Sequence, residues 1–364
     1  MIYVHVPFCK SFCTYCGFYS EICKGSGTAM QAYADAVIKE IEERREEIIK
    51  TSGVNTLYFG GGTPSVLPLG VFRRIVQALP FEGPYDEFTV EMNPDDVTRD
   101  FVIGLKELGV NRISLGIQSF DDAILRWMNR RHNAAGAVNA VETIRNCGIE
   151  NISIDLIFGL PQLTEEGWEN TISRALELRP QHISAYQLSV EEDSALEQLI
   201  ARGKFTEATQ EQCRQQYDAL CRMLRQAGYN HYEVSNFALP GYEARHNSAY
   251  WSRAPYVGLG PGAHSFDGAR TRRWNSHMTP GAPCQYTCET ESLTDYDVAV
   301  ERLMLGLRTA AGIDAGELRA ITGPCALQDA LSKGLLTPAG PQKTALRIPE
   351  DRFFVSDDII RQLI

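Results

Sequence analysis

Cys9, Cys13 and Cys16 stand in one short stretch, Phe8-Cys9-Lys10-Ser11-Phe12-Cys13-Thr14-Tyr15-Cys16, directly after the apolar run Ile2–Val6. Thiolates are soft ligands suited to iron–sulfur clusters or to zinc. Structural zinc takes four ligands, usually as two spaced pairs. Here three cysteines lie close together with no obvious fourth. A [4Fe–4S] cubane held by three of them leaves one iron open to an outside ligand, which a reactive site needs and a structural site avoids. Zinc is the plainer alternative, with Cys23 or His5 completing the set. Cys147, Cys213, Cys221, Cys284, Cys288 and Cys325 are scattered and read as inert thiols.

Other polar residues mark the ends of further apolar runs. Gly60-Gly61-Gly62-Thr63-Pro64 follows Thr56–Phe59. Glycines there let the backbone come close to a ligand and expose its N–H and C=O groups. Glu91 stands in Glu91-Met92-Asn93-Pro94, Gln118 in Gly116-Ile117-Gln118-Ser119-Phe120, and Asp155 in Ile154-Asp155-Leu156-Ile157-Phe158. Polar residues within such runs are costly unless partnered. Further on comes His246-Asn247-Ser248-Ala249-Tyr250-Trp251. A neutral imidazole is a good axial ligand for iron, and Tyr250 and Trp251 could pack against a porphyrin face. The plainer reading has His246 and Asn247 tying down a loop while Tyr250 and Trp251 fill core. His264 is a rival ligand.

These residues need a scaffold, and the pattern supplies one. Short runs at Ile2–Val6, Thr56–Phe59, Phe88–Glu91, Arg112–Gly116, Ile152–Phe158 and His182–Leu188 are rich in β-branched or aromatic residues and read as strands. Helical patterns separate them, at Gln31–Lys50, Thr98–Leu108, Ala134–Cys147 and Thr164–Leu178. Repeated βα units imply a parallel sheet with right-handed crossovers, either open or closed into a barrel. The C-terminal ends of such strands are where sites are built. From Tyr229 to Trp274 the chain is dense in Tyr, His, Asn, Gly and Pro, and reads as irregular and functional. Helices at Asp295–Thr309, Ala315–Thr322 and Cys325–Lys333, then strand-like runs at Ala345–Ile348 and Arg352–Val355, resemble a winged helix. The expected divisions are 1–228, 229–290 and 291–364.

With 364 residues, 44% hydrophobic, the chain can bury a large core. Its formal net charge of −11 and the lack of a basic block argue against nucleic acid as a partner. Neither a secretory signal nor an apolar stretch of the roughly 20 residues that span a bilayer is evident, so the expectation is a soluble, cytoplasmic protein.

The triad Cys9-x₃-Cys13-x₂-Cys16 after a first strand is similar to that of the radical S-adenosylmethionine superfamily. Tyr3-Val4-His5-Val6-Pro7-Phe8 narrows the resemblance to the oxygen-independent coproporphyrinogen dehydrogenases and their relatives. It implies an α/β fold: a partial (β/α)6 barrel with a small winged-helix-like α+β domain after it. It also implies that S-adenosylmethionine chelates the fourth iron, with Gly61, Gly62 and Thr63 at its amino group and Glu91 near its ribose. Gln118, Asp155 and Arg130 match further positions beside the cofactor, as do Tyr3 and Tyr15 around the cluster and Ser189 on weaker local identity.

Two features separate the branches of that group. The dehydrogenases carry a fourth cysteine two residues after the third, where this chain has Phe18, and a longer segment ahead of the first strand. His246 to Trp251 resembles the HNxxYW motif of the HemW heme chaperone branch. That likeness implies heme as a ligand, with His246 its candidate ligand, and acceptor hemoproteins as partners. It leaves open peripheral contact with a membrane hemoprotein and a homodimer. The alternative is a coproporphyrinogen III dehydrogenase acting through a 5′-deoxyadenosyl radical.

Overall fold

A computed structural model describes residues 1–22, 27–51, 53–81, 83–192, 194–279 and 284–364. Cys23, the alternative fourth ligand, lies outside them. The main sheet begins with six parallel strands: β1 (Ile2–Val6), β2 (Thr56–Gly61), β3 (Glu87–Met92), β4 (Arg112–Gln118), β5 (Asn151–Phe158) and β6 (His182–Gln187). They lie side by side in chain order. Each follows its expected run to within two residues. With helices between them they form the expected partial barrel.

Three more strands complete this sheet: β7 (Asn230–Glu233), β8 (Asn236–Ala238) and β9 (Val257–Leu259). The β7–β8 hairpin extends the β6 edge with antiparallel pairing, and β9 adds in parallel beside β1. The 229–290 segment is therefore a correction to the sequence reading: it is not an irregular unit apart from the barrel. It also carries a second sheet of β10 (His264–Phe266), β11 (Thr271–Asn275) and β12 (Cys288–Ser292). Strands of three to five residues are too short to show a period, and the Gly and Pro between them mask what period there is.

Alternation explains why the barrel holds together. On one face of the parallel strands Val4, Val6, Leu57, Phe59, Phe88, Val90, Ile113, Leu115, Ile152, Ile154, Leu156 and Ile183 are fully buried. They pack with helical stripes such as Tyr33, Val37 and Ile41 of helix Gly27–Glu43, a spacing that puts all three on one helix face. Arg44, just past that helix, is buried between Glu40 (2.8 Å) and the Gly258 carbonyl (2.7 Å), and so fixes the helix to β9. Trp168 is 1% exposed, and its Nε1–H donates to the Gln216 carbonyl at 2.7 Å.

The C-terminal unit carries helix Asp295–Leu307, a helical stretch Ala315–Ser332 that breaks at Gly323-Pro324, and a three-stranded sheet of β13 (Ile313–Asp314), β14 (Thr337–Ala339) and β15 (Ala345–Arg347). The break divides the stretch into the two helices expected. The run Arg352–Val355 is not a strand but lies in a 3-10 helix, Glu350–Val355. A strand would send Phe353 and Phe354 to opposite faces. Both instead pack on the barrel, Phe353 5.0 Å from the His231 ring and Phe354 5.4 Å from Tyr217.

Candidate functional site

The other face of the parallel strands is polar. Reading across the register, Tyr3 pairs with Tyr58, Tyr58 with Thr89, Thr89 with Arg112, Glu91 with Ser114, Ser114 with Ser153, Ser153 with His182, and Asp155 with Ser184. Barrel interiors are usually filled by Val, Ile and Leu. A polar interior costs stability unless its groups are satisfied, and Ser153 and His182 satisfy each other at 2.8 Å. Tyr58, Arg112, Ser114, Ser153, His182 and Ser184 were not singled out from the sequence. The signal that could have found them is period two: each stands two residues from another polar position in its strand.

At the C-terminal mouth of the strands, the chain after β1 folds back through a short parallel pairing of Phe8 with Glu21 and Cys9 with Ile22. The loop between is anchored at several points. Thr14 Oγ1 donates to the Trp127 carbonyl (2.9 Å), Asn129 Nδ2 to the Phe12 carbonyl (2.7 Å), and Lys10 pairs with buried Asp96 (2.5 Å). Such anchoring holds Cys9 buried and Cys13 and Cys16 half-buried. Burial pushes the Cys16 thiol up to about 11, partly offset by a bond from the Phe18 backbone. Among the described residues no three ligating side chains crowd tightly enough for a single metal ion. A cubane, whose ligands go to separate irons, does not require that.

The glycine loop is bonded to the cysteine loop. Gly62 N–H donates to the Val6 carbonyl and Thr63 N–H to the Phe8 carbonyl, both at 2.8 Å. Thr63 Oγ1 is 3.3 Å from Cys9 Sγ. Gly61 has φ +112°, and a Cβ there would stand 2.6 Å from the His5 ring; one on Gly62 would stand 2.8 Å from the Phe8 carbonyl oxygen. Side chains at either position would fill the space the loop leaves.

Glu91 accepts from the Tyr58 hydroxyl (2.7 Å) and from Gly61 N–H (3.2 Å). Burial pushes its pKa up to about 7, against the lowering effect of Tyr58, and Asp155 adds to the rise. Asp155 is raised too, first by burial, with Ser184 and Arg112 opposing. Gln118 ends β4 with φ +69°, at an irregularity in the register with β5. Arg130 donates to Asn93 Oδ1 (2.5 Å), the Gly116 carbonyl (2.6 Å) and Cys13 Sγ (3.3 Å), and its buried Nε has no partner among the described residues. Tyr15 lies within reach of the charges of Arg130 and Cys13, and burial raises its pKa. The Tyr3 hydroxyl is 3.2 Å from His5 Nδ1. The mouth thus brings Tyr15, Gly61, Gly62, Thr63, Glu91, Gln118 and Arg130 together near the cysteines, while Tyr3 and Asp155 lie deeper in the barrel, Tyr3 with its ring 6.5 Å from that of His246. Ser189 is exposed in the loop after β6.

His246 is elsewhere. It sits at the opposite, N-terminal floor of the barrel, 1% exposed. Its Nδ1 is 2.8 Å from Thr56 Oγ1, its Nε2 3.1 Å from the Tyr250 hydroxyl, and its N–H donates to Glu87 at 3.3 Å. Burial drives its pKa down to about 3. With both ring nitrogens engaged inside the core, His246 is not placed to ligate heme. This geometry favours the plainer reading of the motif, in which it fastens helix Arg245–Trp251 to the barrel.

A model of the radical SAM superfamily matches residues 3–175. The chain is 35% identical over 317 residues to the heme chaperone HemW of Lactococcus lactis subsp. lactis, covering 85% of this chain and 82% of that protein. It is 33% identical over 357 residues to HemW of Bacillus subtilis, covering 92% of each. The chain belongs to the HemW family of radical SAM proteins. In fold it is similar to the coproporphyrinogen III oxidase HemN from Escherichia coli, a radical SAM enzyme, with a TM-score of 0.80 over 100% of this chain and 89% of that one at 22% identity. Membership of the radical SAM superfamily implies a [4Fe–4S] cluster and S-adenosylmethionine, and the mouth fits both. It offers three thiols, a glycine loop in which a Cβ would clash, and an arginine nitrogen without a partner among the described residues. No helix among the described residues is long and apolar enough to cross a membrane.

Proposed function

We propose that the protein is a heme chaperone that binds a [4Fe–4S] cluster, S-adenosylmethionine and heme, and passes heme to acceptor hemoproteins. The observation that carries the reading is the likeness to HemW proteins over most of the chain and most of the relatives' length. Phe18, standing where the dehydrogenase branch has a cysteine, supports it.

In this reading Cys9, Cys13 and Cys16 hold the cluster. The bound cluster supplies an iron with a free coordination position for the amino and carboxylate groups of S-adenosylmethionine. Gly61, Gly62 and Thr63 present backbone groups to the amino group, and ionised Glu91 accepts from the ribose hydroxyls. Arg130, facing Cys13 at 3.3 Å, places a fixed positive charge beside the cysteine loop. The cofactor then serves assembly or control of heme transfer.

The test is made on reduced, anaerobically reconstituted protein given S-adenosylmethionine and coproporphyrinogen III, with mass spectrometry for lost carbon dioxide and a parallel measurement of 5′-deoxyadenosine. The expected result is no decarboxylated porphyrinogen, even where deoxyadenosine forms, and transfer of heme from the loaded protein to an apo-hemoprotein. Decarboxylation over many turnovers would make this a coproporphyrinogen III dehydrogenase and overturn the chaperone reading.

A further inference from the structure

We propose that heme iron is bound at the mouth of the barrel by an imidazole of the pair His264 and His277, an assignment that rests on the chaperone reading above. Axial ligation needs a neutral imidazole with an open nitrogen at a surface a porphyrin can reach. The described histidines separate sharply on that requirement. His246, His182, His231, His132 and His5 are all buried, and every one of them has a ring nitrogen in a hydrogen bond.

His264 and His277 are exposed, and among the described residues neither ring has a polar partner. Both are backed by aromatic surface. His277 lies flat on Tyr19, with ring centroids 3.9 Å apart and planes within 4°. His264 faces Trp274 across the β10–β11 pairing, at 6.2 Å and 24°. Flat packing on one face leaves the edge of the imidazole, where its nitrogens are, free to meet an iron.

The two imidazoles share a place. Gly262 N–H, two residues before His264, donates to the Ser276 carbonyl, next to His277, at 3.1 Å, and a Cβ on Gly262 would stand 3.1 Å from the Tyr19 ring, on which the His5 ring stacks at 18° with its Nε2 3.0 Å from the Tyr19 carbonyl. His5 is the next-to-last residue of β1, four before Cys9, and Tyr19 comes three after Cys16. The pair therefore flanks the cysteine loop. Phe18, next to Tyr19, is 74% exposed and adds apolar surface on that side. Aromatic rings beside a free imidazole offer a porphyrin both face contact and a metal ligand. Heme held there would sit against the loop that carries the cluster.

The experiment is a titration of the full-length, cluster-loaded protein with hemin, followed in the Soret region, for wild type, His264→Ala, His277→Ala, the double variant and His246→Ala. Circular dichroism and iron content confirm that each is folded and loaded. The double variant is expected to bind hemin about tenfold more weakly or worse, since even outer partners of a metal ligand cost that much. Its Soret maximum should shift, and free imidazole should restore the wild-type band. His246→Ala should keep the wild-type band. A double variant that binds hemin with wild-type affinity and spectrum would overturn the assignment, as would a folded His246→Ala that alone loses the band. A wild-type protein that binds no hemin would overturn the chaperone reading itself, and this inference with it.

Discussion

The two ends of the barrel use similar residues for opposite purposes. At the N-terminal floor two separate groups are bonded: His182 is 2.8 Å from both Ser153 Oγ and the Tyr232 hydroxyl, and His246 is bound on both ring nitrogens, to Thr56 and Tyr250. At the C-terminal mouth the groups are left unfinished. Among the described residues Arg130 Nε has no partner, Cys13 and Cys16 are only half-buried, and Glu91 carries a pKa moved to about 7. Bonded side-chain networks fix a fold, while half-buried thiols beside a buried carboxylate mark a place for ligands. Burial displaces the histidine pKa values of the floor as well, and Arg112 Nε and Asn151 Oδ1 there also lack partners among the described residues, so it is the kind of group that tells the two ends apart. Tyr58 joins the ends, donating to Glu91 while its ring stands 4.9 Å from that of His246. A motif with ligand-like residues can therefore lie away from the chemistry and still set the walls that chemistry needs.

That contrast is open to test. The largest effect is expected at Arg130. Arg130→Met removes the charge facing Cys13 and leaves Asn93 and the Gly116 carbonyl without their donor. Hydrogen bonds to charged groups are worth about 1.5–3 kcal/mol each, so S-adenosylmethionine binding, measured by calorimetry, should weaken by at least about tenfold. Arg130→Lys should not rescue it, because one ammonium cannot reproduce a planar fork.

At the floor, His246→Ala strands Thr56 and the Tyr250 hydroxyl. It should cost about 1–3 kcal/mol of stability, read from denaturant unfolding, with S-adenosylmethionine affinity held. Loss of affinity without loss of stability would dissolve the contrast between the two ends. Gly61→Ala forces a side chain into a left-handed backbone and against His5; it should cost about 1–3 kcal/mol and weaken cofactor binding together, because the loop cannot keep its course.

The next effect is one of pH. The pKa of Glu91 is raised by burial to about 7 from an ordinary 4.5. The folded protein therefore holds a proton there that the unfolded chain has lost, and stability from this group falls as pH rises from about 4.5 to about 7. Binding runs the other way: ionised Glu91 accepts from a ribose, so affinity for S-adenosylmethionine should rise through about pH 7. Glu91→Gln should flatten the binding profile and reduce the slope in stability. Part of the slope should remain, because burial raises Glu233 to about 7 in the same way. The smallest effect is expected at Arg214, whose exposed pairing with Asp218 at 2.8 Å is worth about 0.3–0.5 kcal/mol.

Much of this was legible in the sequence, for reasons that differ by residue. Runs such as Ile152–Phe158 declare a strand because β-branched and aromatic residues recur over a full strand length. Cys9, Cys13 and Cys16 declare their chemistry because few other uses need three thiols so close. The residues of the mouth were legible as strand ends. By contrast β8 and β9, three residues each, carry too few positions to show a period, and their places in the sheet depend on partners far away in the chain. Phe353 and Phe354 looked like a strand because aromatic content does not distinguish alternation from a turn of helix; packing against Tyr217 and His231 decided it. His246 looked like an iron ligand because a sequence shows residue type and not what occupies the ring nitrogens.

The most direct test of the contrast is iron and acid-labile sulfide analysis after anaerobic reconstitution, on wild type, Cys13→Ala and His246→Ala side by side. About four irons and four sulfides per chain are expected in wild type, as a [4Fe–4S] cluster requires, with the same in His246→Ala and loss of the cluster in Cys13→Ala. A normal cluster in Cys13→Ala, or its loss in a folded His246→Ala, would contradict the placement of the chemistry at the mouth of the barrel.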